Sequence, residues 1–506
     1  MKKTCFLASC LVACAVASAS AQVVSPAVEV GSVPLGSSAA KTVTVTLPYA
    51  TKISSIEVFA GGAQGLDFIT TGGTCKTGVA YAAGASCTLQ VKFTPQSSGA
   101  RYGEYMLYSP SGQLVAGGYL VGSGAGPRAT FLPLTASAPL LEYGLPIQSA
   151  AVDENNGFYI AEPEISSSAG SVDPGAVYPL SASFINPDHV EVDGGGNVYV
   201  DDEFSATPGK FMPQGGGNYF AQNILPVSTG QAVDAVGNFY SVCGTAVCEE
   251  VLQPNLGYVP TTLVGGFVAP GTVAVDFAGN LYVTDFTPAP VVYKETWSNG
   301  IYVQSKIGKS WVSPQSISVD EVGNVYVYDP PYLTKETLQL NGTYSARNIY
   351  TDSAKTRFMT VSPQGNVYVA QSGYPGEYGL EDALIELQTT TTPTLTFSKT
   401  AQGAVSKDGV RLVIVTNSGT APLHFSSVTF PVDFPERANE VGDCRATTVL
   451  AAGQSCSLSV TFAPVATLSG SSAVLTENVL ITTNTLNATG SEQKIAVTGT
   501  ELPAIP

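Results

Sequence analysis

The sequence carries little charge, two histidines and no long apolar run. Only 12% of its 506 residues are Asp, Glu, Lys or Arg, about half the usual quarter, which excludes a charged disordered chain or a long coiled coil. The charge is one-sided, with 39 acidic against 22 basic residues and a formal net −17. A general binder of nucleic acid or anionic membrane needs the opposite sign. His189 and His424 cannot supply a zinc site, and no cysteine pair has C-x2-C spacing. P-loop, G-x-S-x-G and H-E-x-x-H patterns are missing. No stretch past the N-terminus reaches about 18 uncharged apolar residues, so no transmembrane span is expected.

The N-terminus reads as a segment removed on export. Met1-Lys2-Lys3 is a positive start, Cys5 to Ala17 a short apolar core, and Ala19-Ser20-Ala21 before Gln22 a small-residue cleavage site. Losing Lys2 and Lys3 leaves 20 basic residues against 39 acidic, a charge of −19. The rival is lipidation at Cys14, because Leu11-Val12-Ala13-Cys14 resembles a bacterial lipobox. Either route predicts a secreted, periplasmic or cell-envelope location.

Glycine (52) and proline (33) are plentiful, and at roughly 100–200 residues per domain the length predicts about three to five domains rich in turns. Beyond the export segment stand Cys75, Cys87, Cys243, Cys248, Cys444 and Cys456. Six cysteines admit about fifteen connectivities. Sequential pairing is favoured, since each pair is close in sequence and far from the others.

The middle of the chain repeats. Asp153…Gly157-Phe-Tyr159 recurs as Asp193…Asn197-Val-Tyr199, Asp234…Gly237-Asn238-Phe-Tyr240, Asp276…Gly279-Asn280-Leu-Tyr282, Asp320…Gly323-Asn324-Val-Tyr326 and Ser362…Gly365-Asn366-Val-Tyr368. The tyrosines are 40, 41, 42, 44 and 42 residues apart, a period that fits one four-stranded propeller blade per copy. Valine ends one strand, Asp accepts N–H groups across a tight turn, Gly supplies positive φ, and Asn leads into the next strand. Two residues before each Asp or Ser stand Ala151, Glu191, Ala232, Ala274, Ser318 and Thr360. Small residues suit converging inner strands, and Glu191 breaks the pattern. Ala383–Leu387 reads as a third strand of the last copy, and Ala129–Leu134 is expected to supply its fourth and close the ring. These motifs resemble the NHL-repeat family, which implies a six-bladed β-propeller over about residues 127–390.

The two flanks share another pattern. Cys75 and Cys87, like Cys444 and Cys456, are spaced C-x11-C, followed by the alternating strands Thr-Leu-Gln-Val-Lys-Phe93 and Ser-Leu-Ser-Val-Thr-Phe462. The closing segments Leu120-Val-Gly-Ser-Gly124 and Val497-Thr-Gly-Thr500 also match. This resembles the abnormal-spindle/hydin, or choice-of-anchor D, type of immunoglobulin-like domain. The resemblance implies sandwiches at 22–126 and 391–506 after the 1–21 signal segment, an all-β chain overall, and no catalytic residues.

Candidate site residues gather at one predicted mouth of the propeller channel. Three positions past each repeat tyrosine stand Glu162, Asp202, Cys243, Asp285, Asp329 and Gln371. The segments leading into the first strands add Gln148, Asp188, His189, Thr272, Gln315 and Arg357. With Glu191, the acids could hold Ca²⁺ or a basic group. The alternative is that each carboxylate caps its own loop. Cys243-Gly-Thr-Ala-Val-Cys248 reads as a loop staple, His424 as structural, and Trp297 and Trp311 as packing.

Two functions follow. The first is a non-enzymatic exported binding or scaffold protein without a cofactor, whose partner is an envelope or extracellular protein or a glycan. The second is a Ca²⁺-dependent lactonase-like propeller hydrolase using Glu191, Asp202, Asp285 and Asp329. Zinc-dependent amidating lyases, which share the propeller fold, are disfavoured by the shortage of histidine.

Overall fold

The computed structural model describes residues 27–503, apart from 138, 144–146, 155–156, 162–165, 169–177, 180–186, 203–208, 215–217, 224–231, 254–257, 277, 287–288, 309, 352–354, 377–378, 438–441, 466–471 and 489. Residues 1–26, with the expected signal segment, lie outside this set. Among the described residues the structure is all-β, with a single 3₁₀ turn at Thr485–Asn487.

The repeat spells its own hairpin. Asp276 Oδ1 accepts the N–H groups of Ala278 and Asn280, both at 2.9 Å. Its Oδ2 receives the Asn280 amide at 2.8 Å and the Tyr282 hydroxyl at 2.7 Å. Asn280 Oδ1 then takes the N–H of Trp297 at 3.1 Å, tying the turn to the third strand. Asp234 and Asp320 do the same with Asn238–Tyr240 and Asn324–Tyr326. The last copy has Ser362 in place of the Asp, and Glu386 from the third strand takes over, accepting from Asn366 and Tyr368 at 2.9 and 3.1 Å.

Each hairpin begins a sheet. Ser149–Val152, Phe158–Ala161, Ser166–Ser168 and Tyr178–Pro179 form the first, and four more of the same simple order begin at Pro187, Ala232, Pro270 and Ser316. The last contains Lys355–Val361, Val367–Gly376 and Gly379–Gln388. The first strands touch in succession around the axis, and Ser149–Val152 meets Lys355–Val361, so the ring closes as a β-propeller.

Closure differs from the sequence expectation in one respect. Ala129–Leu132 is a strand, but it pairs with Arg411–Asn417 of the C-terminal region, Ala129 opposite Asn417. The last blade is instead completed by Thr135–Ala136 and Leu141–Tyr143 against Gly379–Gln388. Burial explains the split. Ala129 and Phe131 enter the C-terminal core, whereas Leu132 and Leu134 pack on the last blade.

Each flank is a pair of facing sheets. At the N-terminus, Val28–Pro34, Leu114–Ala125, Gly99–Tyr108, Ser55–Ala60 and Ala63–Gln64 face Ala39–Thr46, Ser86–Phe93 and Phe68–Gly73. At the C-terminus, Leu395–Ala401, Ser491–Leu502, Ala473–Thr483, Leu423–Thr429 and Val449–Leu450 face Ala129–Leu132, Arg411–Asn417 and Ser455–Val460. In both, the opening strand runs parallel to the closing one. Both cores stack two phenylalanines, Phe68 on Phe93 at 4.6 Å and Phe434 on Phe462 at 4.8 Å. The disulfides are Cys75–Cys87, Cys243–Cys248 and Cys444–Cys456, as the spacing predicts.

Candidate functional site

The first strands of the blades enclose a cavity of about 700 Å³ along the propeller axis. Ala151, Ala232, Ala274, Ser318 and Thr360 line it together with Glu191, so the residue that breaks the small-side-chain pattern sets a carboxylate in the wall. Glu191 Oε1 lies 3.2 Å from His189 Nε2, with both side chains about a third exposed at 30% and 31%. Ser149 Oγ stands 3.5 Å from His189 Nδ1, too far for a firm hydrogen bond.

The other mouth residues divide. Arg357 Nε pairs with Asp382 Oδ2 at 3.0 Å and keeps 45% of its side chain exposed. Asp382 is buried and also accepts the Ile147 N–H at 3.1 Å. Asp285 commits both carboxylate oxygens to its own blade, accepting the N–H groups of Val268 and Ala269 at 2.9 and 2.7 Å. Asp329 accepts those of Val312 and Ser313 at 3.0 and 2.5 Å. The two acids clasp the loop leading into their blade's first strand. Glu162 lies outside the described residues, as do the side chains of Asp188 and Asp202, whose backbones stand in strands Pro187–Val192 and Val198–Asp202. Among the described residues, no group of three His, Cys, Asp or Glu side chains is placed to hold a metal ion.

The opposite end of the channel, where the repeat turns lie, is covered by the N-terminal sandwich. Backbone bonds run from Gly61 and Gly62 to Gly194 and Gly195, both 3.1 Å. Arg101, buried in strand Gly99–Tyr108, bonds Asp67 at 2.6 Å, Glu321 at 3.0 Å and Glu154 at 3.1 Å. Arg128 joins the same group through Glu321 and the Ser98 carbonyl. Burial pushes the Glu154 carboxyl well up from its ordinary range, against the opposing charge of Arg101. Burial likewise raises Glu321, while Arg128 and Arg101 oppose the shift.

A second buried group lies alongside. Glu104 Oε2 accepts the Asn197 amide at 2.7 Å, and Tyr119 donates to Asp193 at 2.7 Å. Burial holds the Glu104 carboxyl up at about 7, opposed by Lys210 and reinforced by Asp193. In the cavity wall, Tyr240 Oη stands 3.1 Å from Asp234 Oδ2 and 2.9 Å from Glu249 Oε1. One hydroxyl proton cannot serve both acceptors. Burial pushes Glu249 up to about 7, against its bond from Tyr240.

Sequence reasoning missed Arg101, Arg128, Glu154, Glu321, Glu104 and Glu249. The available signal was a glutamate following the repeat Asp only in copies one and five, and charges set into otherwise apolar strands. Of the two tryptophans, Trp311 is buried and donates to the Ile307 carbonyl at 3.0 Å. Trp297 packs on Tyr302 at 4.9 Å, and both line the cavity.

No protein-family profile matches the chain, and no curated protein matches it. Solved structures similar to it include a gluconolactonase from Xanthomonas campestris, at 12% identity and a TM-score of 0.37, covering 52% of this chain and 95% of that one. An auxiliary nutrient binding protein from Bacteroides ovatus aligns at 10% identity and 0.36, covering 71% and 96%. A virginiamycin B lyase from Staphylococcus aureus aligns at 10% and 0.32, covering 68% and 99%. At these values the propeller assignment rests on the sheet order and ring closure above, and no activity carries over.

Proposed function

We propose that the chain is an exported, non-enzymatic binding protein: a six-bladed NHL-type propeller held between two immunoglobulin-like domains. Its open channel mouth takes a polar group of an envelope or extracellular protein or glycan. The observation that carries this reading is the asymmetry of the channel. One end lies under the N-terminal sandwich, fastened by buried ion pairs, while His189, Glu191 and Arg357 stay partly exposed at the other. A cavity of about 700 Å³ with a few polar groups at its rim is the ordinary form of a ligand site. Loop capping by Asp285 and Asp329 favours binding over a Ca²⁺-dependent lactonase-like reaction, because those oxygens face backbone donors.

The test is a glycan and envelope-protein array probed with the full chain and with the Glu191→Gln/Arg357→Ala variant. Binding that the variant loses supports the reading. Binding indifferent to the variant, or stoichiometric Ca²⁺ in the purified protein together with lactone hydrolysis, overturns it. N-terminal sequencing of the exported protein should begin at Gln22.

A further inference from the structure

We propose a second ligand site, separate from the channel: an oxyanion site in the cleft between the propeller and the C-terminal sandwich, held by Lys335 and Arg347. The cleft encloses about 450 Å³ between strands Tyr332–Leu338 and Tyr344–Thr351, the segment Thr130–Leu134, and the sandwich residues Thr416 and Gly453–Ser455.

The blade pattern shows why Lys335 is unusual. In three blades the third strand sets a lysine opposite the repeat tyrosine: Lys210 by Tyr199, Lys294 by Tyr282 and Lys335 by Tyr326. Each ammonium lies over its ring, at 5.2, 5.3 and 4.9 Å. Lys294 also donates to the Tyr344 hydroxyl at 3.0 Å, and Lys210 faces the charge of Glu104. The ammonium of Lys335, a residue only 8% exposed, has neither a hydrogen bond nor an ion pair among the described residues. Burial pushes its ammonium below the ordinary lysine value, with Asp320 opposing.

Arg347 lies directly across the strand pair from Lys335. Among the described residues its exposed guanidinium makes no hydrogen bond or ion pair, whereas Arg101, Arg128, Arg357, Arg411 and Arg445 each meet a carboxylate. Like charges facing each other across a sheet are destabilising. Burying a lysine that no carboxylate meets in an ion pair among the described residues adds to that cost, which the charge of Asp320 offsets only in part. Both are relieved by an anion, and no acidic residue lines the cleft to provide one from the chain itself. Hydroxyls of Thr337 and Ser345 are available as further donors, and Phe131 and Leu134 form an apolar wall. The chemistry selects a phosphate, sulfate or carboxylate group, free or carried on a body that rests against that wall.

Isothermal titration of the full chain with inorganic phosphate and with phenyl phosphate tests the site. One-to-one binding is expected that weakens about tenfold or more in Lys335→Met and in Arg347→Gln. It should be unchanged in Lys294→Met, the equivalent lysine of another blade. Circular dichroism establishes that each variant folds, and where Lys335→Met does not, Arg347→Gln decides. Absence of binding by both probes, or binding that survives the folded variants, overturns the proposal.

Discussion

Arg101 Nη1 stands 3.0 Å from Glu321 Oε2, with both side chains almost wholly out of water, and the pair fastens the N-terminal sandwich to a turn of the propeller. The surrounding group holds two arginines against Asp67, Glu154 and Glu321, so one acid is in excess. Burial pushes the Glu154 carboxyl well up toward its neutral form, against the charge of Arg101.

That arrangement separates two variants. Glu321→Ala removes the carboxylate shared by Arg101 and Arg128, and breaking a buried pair costs about 3–5 kcal/mol. Glu154→Gln keeps an acceptor for the Tyr102 N–H and is expected to cost less than about 1 kcal/mol. Urea denaturation measures both. Equal destabilisation by the two would contradict the reading of Glu321 as the carboxylate that both arginines need.

Stability should fall as pH rises through the carboxyl range. Unfolded, Glu104 and Glu249 titrate near 4.5; folded, each is held at about 7. Between those values the native protein keeps protons that the unfolded chain has released, so the stabilisation present at the acid end is lost toward pH 7 and changes little above it. Calorimetry from pH 5 to 8 should show the melting temperature falling, by roughly 2–4 °C for each kcal/mol lost. The Glu104→Gln/Glu249→Gln variant should flatten that slope.

The two sandwiches should respond alike to a methyl group. A Cβ on Gly122 would meet the Phe93 ring at 2.5 Å, and one on Gly499 the Phe462 ring at 2.6 Å. Overpacking of this kind costs about 1–3 kcal/mol. Thermal melts of Gly122→Ala and Gly499→Ala check it, and unchanged midpoints would show that the rings move aside.

The last blade offers a test of the repeat's chemistry. Glu386 does there what Asp276 does in its own blade, so Glu386→Ala and Asp276→Ala should each cost about 2–3 kcal/mol through unsatisfied Asn and Tyr groups. Ser362→Ala should cost less, because among the described residues the Ser362 hydroxyl accepts only the Asn366 N–H, at 3.1 Å. Denaturation midpoints rank the three.

Much of the fold was legible in the chain because its determinants are local. An Asp, Gly, Asn and Tyr within seven residues fold their own hairpin, and cysteines twelve apart close their own loops. The loop-capping alternative for Asp285 and Asp329 could also be read from sequence, since their partners lie 16 or 17 residues away.

The remainder depended on distance. Ala129–Leu132 alternates as a strand in sequence, but alternation does not name a partner, and only packing sends Phe131 into the C-terminal core. Glu154 and Glu321 look like solvated turn residues until the N-terminal sandwich is laid over them. Lys335 looks like another lysine of the repeat until the fold sets it in a cleft that no acidic residue lines. Hydrogen bonds within a hairpin are set by neighbours in the chain, whereas desolvation is set by whatever covers a group. The sequence by itself therefore determined the repeat, its turns and its disulfides, and the tertiary structure alone decided which charges are buried.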